Sequence, residues 1–239
     1  MKKCIVQYWI PADKYSQPDY NKLLRNQPLH EISSRSFKKY CAKYNIDYIE
    51  INEPKINWIH PTFERFDLWL DEEWWQKYDQ ILYADSDIFA MPWAPDIFEM
   101  YPDNDTFKYC HFSKIENAET QEHFDTFYHG LLKKECSLED VREKGFQPGL
   151  FILTKKSRDV MRPWIEKFKE IGNAHDGEIL NWANIKSNVK ITKMDEWFNY
   201  KNAHFRRKPK IYFFHAAGNK KGKPESQEGI REYLKKHGV

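Results

Sequence analysis

The stretch Tyr78–Pro92 reads YDQILYADSDIFAMP. A short strand, Tyr78–Ala84, apolar from Ile81 onward, stops abruptly at Asp85-Ser86-Asp87, and an apolar run, Ile88-Phe89-Ala90, follows. The first is short and bounded, as expected of a buried strand. It delivers two carboxylates, one residue apart, to its carboxyl end. In open α/β sheets ligands bind beyond those ends. Two carboxylates there suit a hard divalent cation, held directly or through water. Such a cation neutralises a diphosphate and stabilises it as a leaving group. The chain carries its own control. Asp103-Asn104-Asp105 repeats the spacing, but it follows Pro102 in polar sequence with no strand before it, and reads as a turn. For Asp85 and Asp87 the plainer alternative is also a turn, with a helix cap nearby.

Outward from this stretch, strands and helices alternate. Lys3–Ile10 is β-branched and aromatic and reads as strand one, ended by Pro11. Residues 12–28 are polar and read as loop. His30–Tyr44 has helical periodicity, Ile46–Ile51 alternates as a strand, and Pro61 opens a helix to about Leu70. Past the Asp-x-Asp stretch, residues 103–145 are polar and resist assignment. Phe151–Thr154 reads as a strand, Ser157–Gly172 as an amphipathic helix closed by its glycine, and Asp176–Ala183 as a short helix. Lys190–Lys193 and Lys210–His215 read as strands, and Glu225–His237 as a charged helix. This order implies an α/β architecture with a mainly parallel sheet, in one compact domain.

Composition narrows the function. The 239 residues carry 38 Lys+Arg against 36 Asp+Glu, a net charge of +2, which argues against a dedicated nucleic-acid binder. No stretch approaches the ~20 apolar residues of a membrane span. Lys2-Lys3 followed by CIVQYWI imitates a signal peptide, but Gln7, Pro11 and Asp13 and the lack of a small-residue cleavage site favour a strand. Cys4, Cys41, Cys110 and Cys136 are far apart without a Cys-x-x-Cys, so neither a zinc ribbon nor a disulfide framework is expected. A cytoplasmic location follows as the expectation. Aromatic residues reach 16%, enough either for a core of large rings or for a groove that stacks on sugars or bases.

Three further segments carry polar groups to the ends of apolar runs. Phe146-Gln147-Pro148-Gly149 precedes a strand, and its glycine permits close backbone approach to a ligand; taken alone, it reads as an ordinary turn. His175-Asp176-Gly177-Glu178 precedes a helix and offers a base or a pair of hydroxyl-orienting carboxylates, with helix capping by Asp176 equally served. The strand at 211–214 ends in His215, followed by Gly218, Lys220 and Lys221. An imidazole completes a metal site that favours Mn²⁺ over an all-oxygen Mg²⁺ site. The glycine would admit phosphates to the backbone and the lysines would supply charge.

In this order the four blocks resemble the GT-A glycosyltransferases, most closely the family-eight type. That family shows Asp-x-Asp after an apolar strand, a Phe-Asn-x-Gly-like segment, an Asp-Gln-Asp-like segment, and His-x-x-Gly-x-x-Lys-Pro near the C-terminus. Here they stand as Asp85-Ser86-Asp87, Phe146–Gly149, Asp176-Gly177-Glu178 and His215 through Gly218 to Lys221. The resemblance implies a single GT-A domain, Rossmann-like, with a mixed, mainly parallel sheet. Residues 1–100 would form its nucleotide-binding half and 101–239 its acceptor half. It implies Mn²⁺ (or Mg²⁺) on Asp85, Asp87 and His215, and a nucleotide-diphosphate sugar, best a UDP-sugar, as donor. Donor contacts would come from Tyr8, Arg65, Asp85, Ser86, Gly218, Lys220 and Lys221. Gln147 and Asp176 would meet the donor sugar or the acceptor. The chain departs from the pattern at Gln147 (Asn in the family), Gly177 (Gln) and Gly222 (Pro). Because the family glutamine is proposed to lie on the reacting face of the sugar in retaining transfer, its absence leaves the stereochemical outcome open. An inverting reaction would need a carboxylate base, with Asp176 or Glu178 the candidate.

The expectation is metal-dependent transfer of a hexosyl or pentosyl group to a glycan hydroxyl. Two rivals use parts of the same residues. A metal-dependent nucleotidyltransferase would share the carboxylates but release pyrophosphate, and its glycine-rich phosphate loop is not visible near strand one. A non-catalytic glycan-binding module would use the rings without the metal.

Overall fold

A computed structural model describes residues 1–11, 14, 27–58, 60–111, 130–172, 174–200, 211–216 and 224–239. Its strands are β1 (Lys3–Tyr8), β2 (Asp47–Ile51), β3 (Gln80–Ala84), β4 (Ile88–Ala90), β5 (Phe107–His111), β6 (Phe146–Thr154), β7 (Ile191–Met194) and β8 (Phe213–His215). The helices are α1 (Gln27–Tyr44), α2 (Asp67–Leu70), α3 (Glu73–Lys77), α4 (Ile97–Met100), α5 (Leu131–Glu135), α6 (Leu138–Lys144), α7 (Lys155–Ile165), α8 (Phe168–Ile171), α9 (Asp176–Ser187) and α10 (Pro224–Lys236). Turns of 3₁₀-helix occupy Pro61–Phe66 and Glu196–Phe198.

Six strands form the main sheet in the order β2-β1-β3-β6-β5-β7. All pairings are parallel except those of β6, which runs against both β3 and β5. The sheet is therefore mixed and mainly parallel, as expected. Alternation along the strands sorts the core onto two faces. Cys4, Val6, Ile81, Tyr83, Phe151 and Leu153 pack with Trp69 of α2, Met161 and Ile165 of α7, and Ile179 and Leu180 of α9. Ile5, Leu82, Leu150 and Ile152 point the other way, against Phe37, Tyr40 and Cys41 of α1. β4 and β8 form a separate antiparallel pair, Ile88 opposite His215 and Ala90 opposite Phe213. Phe89 and Phe214 of that pair pack against Ile230 and Leu234 of α10. The rings thus serve mainly as core, with Trp93 left exposed.

Several elements differ from the sequence reading, each for a local reason. Strand one ends at Tyr8 rather than Ile10, although Trp9 N still donates to Ile51 O at 2.9 Å. The expected helix at 61–70 begins as 3₁₀ turns, and that at 157–172 divides into α7 and α8, the first carrying Pro163 inside it. Phe146–Gly149 is not a turn before a strand but the first part of β6. β6 is irregular there: Tyr109 faces Phe151 but residue 111 faces Phe146, so the segment holding Pro148 bulges out of the ladder and reads locally as a turn. β5, α5 and α6 lie within the polar stretch 103–145. In β5, Lys108 is fully buried, its ammonium donating to the carbonyls of Asp103 and Thr106, so a core strand carries a charge and reads as polar. No helix among the described residues is long and apolar enough to cross a membrane. The four cysteines are free thiols, and burial pushes that of Cys41 up to about 12.

Candidate metal and ligand site

The turn Asp85-Ser86-Asp87 joins β3 of the large sheet to β4 of the small pair, so the carboxylates stand where the two sheets meet. Its backbone is clamped from several directions. Asp85 N donates to Gly149 O at 2.8 Å, and Gln7, fully buried in β1, donates from Nε2 to Asp85 O at 3.0 Å and to Ser33 Oγ at 2.9 Å. Ser33 in turn donates to Ile88 O, and Ser36 Oγ accepts from Ala90 N at 3.0 Å. A β1 glutamine and two α1 serines therefore fix the course of the loop.

β8 delivers His215 to the same place. Its Nε2 lies 3.2 Å from Asp87 Oδ1 and 3.7 Å from Asp85 Oδ2, and its side chain is 1% exposed. One ligand atom from each of the three residues lies within 4.8 Å of the others. Nε2 is buried and makes no hydrogen bond among the described residues: the Asp85 oxygen is too far and the Asp87 oxygen is poorly aligned. A buried ring nitrogen and two carboxylates converging without hydrogen bonds between them make a nitrogen–oxygen donor set of the kind Mn²⁺ accepts. Gly149 supplies the space. A Cβ there would stand 2.5 Å from His215 Cε1 and 2.7 Å from Asp85 Oδ2. The close approach expected of this glycine was to a bound ligand; the groups it admits here are the side chains of His215 and Asp85. By orphaned nitrogen, cleared space and donor chemistry, the residues fit a divalent cation.

A cationic side chain bounds the cluster. Arg65, on the 3₁₀ turn before α2, is buried. It donates from Nη1 to Pro148 O at 2.7 Å, lies 3.6 Å from Asp85 Oδ1, and forms an ion pair with Asp176 at the first turn of α9. Its guanidinium stands over the Tyr83 ring, 5.3 Å from the centroid. Tyr83 donates its hydroxyl to Asp85 Oδ1 at 2.5 Å. Burial, then the Asp85 charge, holds that phenol well above the usual tyrosine range, so it stays a donor.

The remaining sequence candidates are distributed more widely. Ser86 and Gln147 are half-buried, in the turn and in β6. Tyr8, at the end of β1, donates its hydroxyl to Asp67 Oδ2 at 3.2 Å, and its ring lies 6.2 Å from that of Tyr83. Glu178 turns to the start of α5, accepting from Leu132 N at 2.9 Å beside Gly130. Asp176 does not cap α9; His175 holds the cap position. Gly218, Lys220 and Lys221 lie outside the described residues. Sequence reading missed Gln7, Ser33 and Asn199, whose Oδ1 lies 2.7 Å from His215 Nδ1. No local pattern marks them, since each partner is distant along the chain.

No family model matches the chain, and no curated protein matches its sequence. Solved structures do match. A glycosyltransferase involved in glycosylation of the major capsid of PBCV-1 is 11% identical, with a TM-score of 0.61, covering 97% of this chain and 100% of its own. The galactosyltransferase LgtC, in complex with donor and acceptor sugar analogues, is 14% identical with a TM-score of 0.50, covering 98% and 96%. The chain has the GT-A fold, and its structural neighbours are glycosyltransferases. An Asp-Asp-His group stands in that fold at the end of its third strand.

Proposed function

We propose that the protein transfers a hexosyl or pentosyl group from a nucleotide-diphosphate sugar, best a UDP-sugar, to a hydroxyl of a glycan acceptor. The observation that carries this is the convergence of Asp85, Asp87 and the unpartnered His215 Nε2 on space cleared by Gly149, at the carboxyl end of β3 in a GT-A fold. Asp85, Asp87 and His215 would hold Mn²⁺ or Mg²⁺, which when bound supplies charge to stabilise the departing nucleoside diphosphate. Residues 1–100 would bind the nucleotide, with Tyr8 and Ser86 at its edge, and 101–239 the sugars, in one domain. Arg65 would face the donor as a fixed cation, and Lys220, Lys221 and the backbone at Gly218 would add phosphate contacts.

Asp176 and Gln147 would orient sugar hydroxyls. The ion pair with Arg65 sets Asp176 beside the carboxylate cluster, where that task would be done. Should transfer invert, Asp176 is the better-placed base, one guanidinium from Asp85, whereas Glu178 is engaged with α5. Incubation with a panel of UDP- and GDP-sugars, with Mn²⁺ or with EDTA, tests the reading through nucleoside diphosphate release. Metal-dependent release from one donor is expected. Pyrophosphate release would indicate a nucleotidyltransferase, and glycan binding indifferent to EDTA, without donor turnover, a binding module.

A further inference from the structure

We propose that Asn199 is a positioning residue that keeps the His215 proton on Nδ1 and thereby presents the bare lone pair of Nε2 to Asp85 and Asp87. This rests on reading that cluster as a cation site. A neutral imidazole has one donor nitrogen and one acceptor nitrogen, and the partner of one decides the state of the other. Asn199 Oδ1 lies 2.7 Å from Nδ1, and an amide oxygen can only accept. The nitrogen facing it must then carry the proton. Were the proton on Nε2, two acceptors would face each other at that distance, and the N–H would make no hydrogen bond, with Asp87 Oδ1 at 3.2 Å poorly aligned and Asp85 Oδ2 too far at 3.7 Å. The opposite amide orientation would pair Asn199 Nδ2, which makes no hydrogen bond among the described residues, with Nδ1, but it would put an N–H on Nε2 and leave the amide oxygen facing away from the ring; the position of the ring proton decides between the two.

The backbone makes Asn199 a rigid support. Its own N–H donates to Glu196 O at 3.1 Å, closing the 3₁₀ turn before it. The next residue, Tyr200, donates to Phe213 O and accepts from His215 N, both at 3.1 Å. The amide and the imidazole are thus carried on adjoining, mutually bonded segments, and both residues are buried. Outer partners of this kind orient a ligating histidine and set its tautomer, and their loss typically costs about 10–100-fold in metal affinity.

The intact metal-free chain, with ¹⁵N-labelled histidine, tests this by two-bond proton–nitrogen correlation at a pH where the ring is neutral. The His215 signals are assigned by their loss in His215→Gln. Wild type is expected to carry the proton on Nδ1, Asn199→Asp to keep it there, and Asn199→Leu to move it to Nε2. Calorimetry with MnCl₂ alone should then show Asn199→Asp within a few-fold of wild type and Asn199→Leu about 10–100-fold weaker. A wild-type ring protonated on Nε2 overturns the proposal without any variant, and so does a leucine variant that keeps the Nδ1 proton. If wild type takes up no Mn²⁺, the cation reading falls, while the spectrum still decides what Asn199 does.

Discussion

Asp85-Ser86-Asp87 and Asp103-Asn104-Asp105 have the same spacing and opposite fates. In the second, the carboxylates are absorbed by their own neighbourhood. Asp103 Oδ1 accepts from Asp105 N at 2.6 Å, its other oxygen accepts from Thr106 Oγ1, and Asp105 pairs with Lys156 at 3.2 Å. The side chains are 42% and 57% exposed. In the first, the carboxylates are 33% and 24% exposed and turn toward a buried imidazole from another sheet. Backbone clamping there comes from Gln7, Ser33 and Ser36. The difference teaches that spacing alone does not decide a carboxylate pair's role: one pair caps its own turn, and the other faces a buried imidazole delivered by a distant strand.

That contrast breaks most visibly at Asp87. Asp87→Ala should abolish Mn²⁺ uptake measured by calorimetry and lower donor turnover by at least about 10³-fold, with an unchanged circular dichroism spectrum. Full activity in this variant would remove the cation reading. Next in size is Gly149→Ala, whose methyl group would press on His215 and Asp85 together. Overpacking of this kind costs about 1–3 kcal/mol, and Mn²⁺ affinity should fall with the ligands' spacing. A variant that binds Mn²⁺ as wild type does would show that the three ligands do not share one ion.

The other pair should answer only in stability. Burial pushes the Asp103 carboxyl up, but bonds from the Thr106 hydroxyl and the Asp105 N–H, with Lys108 and Lys190 nearby, hold it below the usual carboxylate value. Its stabilisation is complete above the unfolded-state pKa and is lost as pH falls through the lower folded-state pKa. Asp103→Ala should therefore cost about 0.5–1 kcal/mol in urea unfolding at neutral pH, after solvent screening, and the gap from wild type should close in acid. Smallest of all, Asp105→Ala removes an exposed ion pair and should shift stability by less than about 0.5 kcal/mol, with donor turnover unaltered.

The sequence showed the first pair clearly because β3 is buried along its whole length and Ile81–Ala84 runs apolar up to Asp85. The mainly parallel sheet and the arrival of His215 at a strand end were legible for the same reason. The middle of the chain was not. Lys108 is buried by satisfying its ammonium on carbonyls, which no periodicity reports, and Pro148 disguises the start of β6 as a turn. Arg65 entered through family resemblance, and its contacts with Asp85, Asp176 and Pro148 O join segments the sequence keeps apart. Asn199 and Gln7 gave no signal, because an amide in a polar or strand context looks alike whether it faces water or a histidine.

The β4–β8 ladder carries a consequence for folding. Each strand is three residues long, and one holds Ile88 directly after Asp87 while the other ends in His215. Ala216 N reaches back to Asp87 O at 3.0 Å, so the edge of the ladder and the ligand cluster are one place. An ion gripping Asp87 and His215 would act as a clasp on this short zipper, adding its binding energy to a few backbone bonds. Amide protons of Phe213–His215 should then exchange with deuterium more slowly when Mn²⁺ is present, while those of β3 stay unchanged.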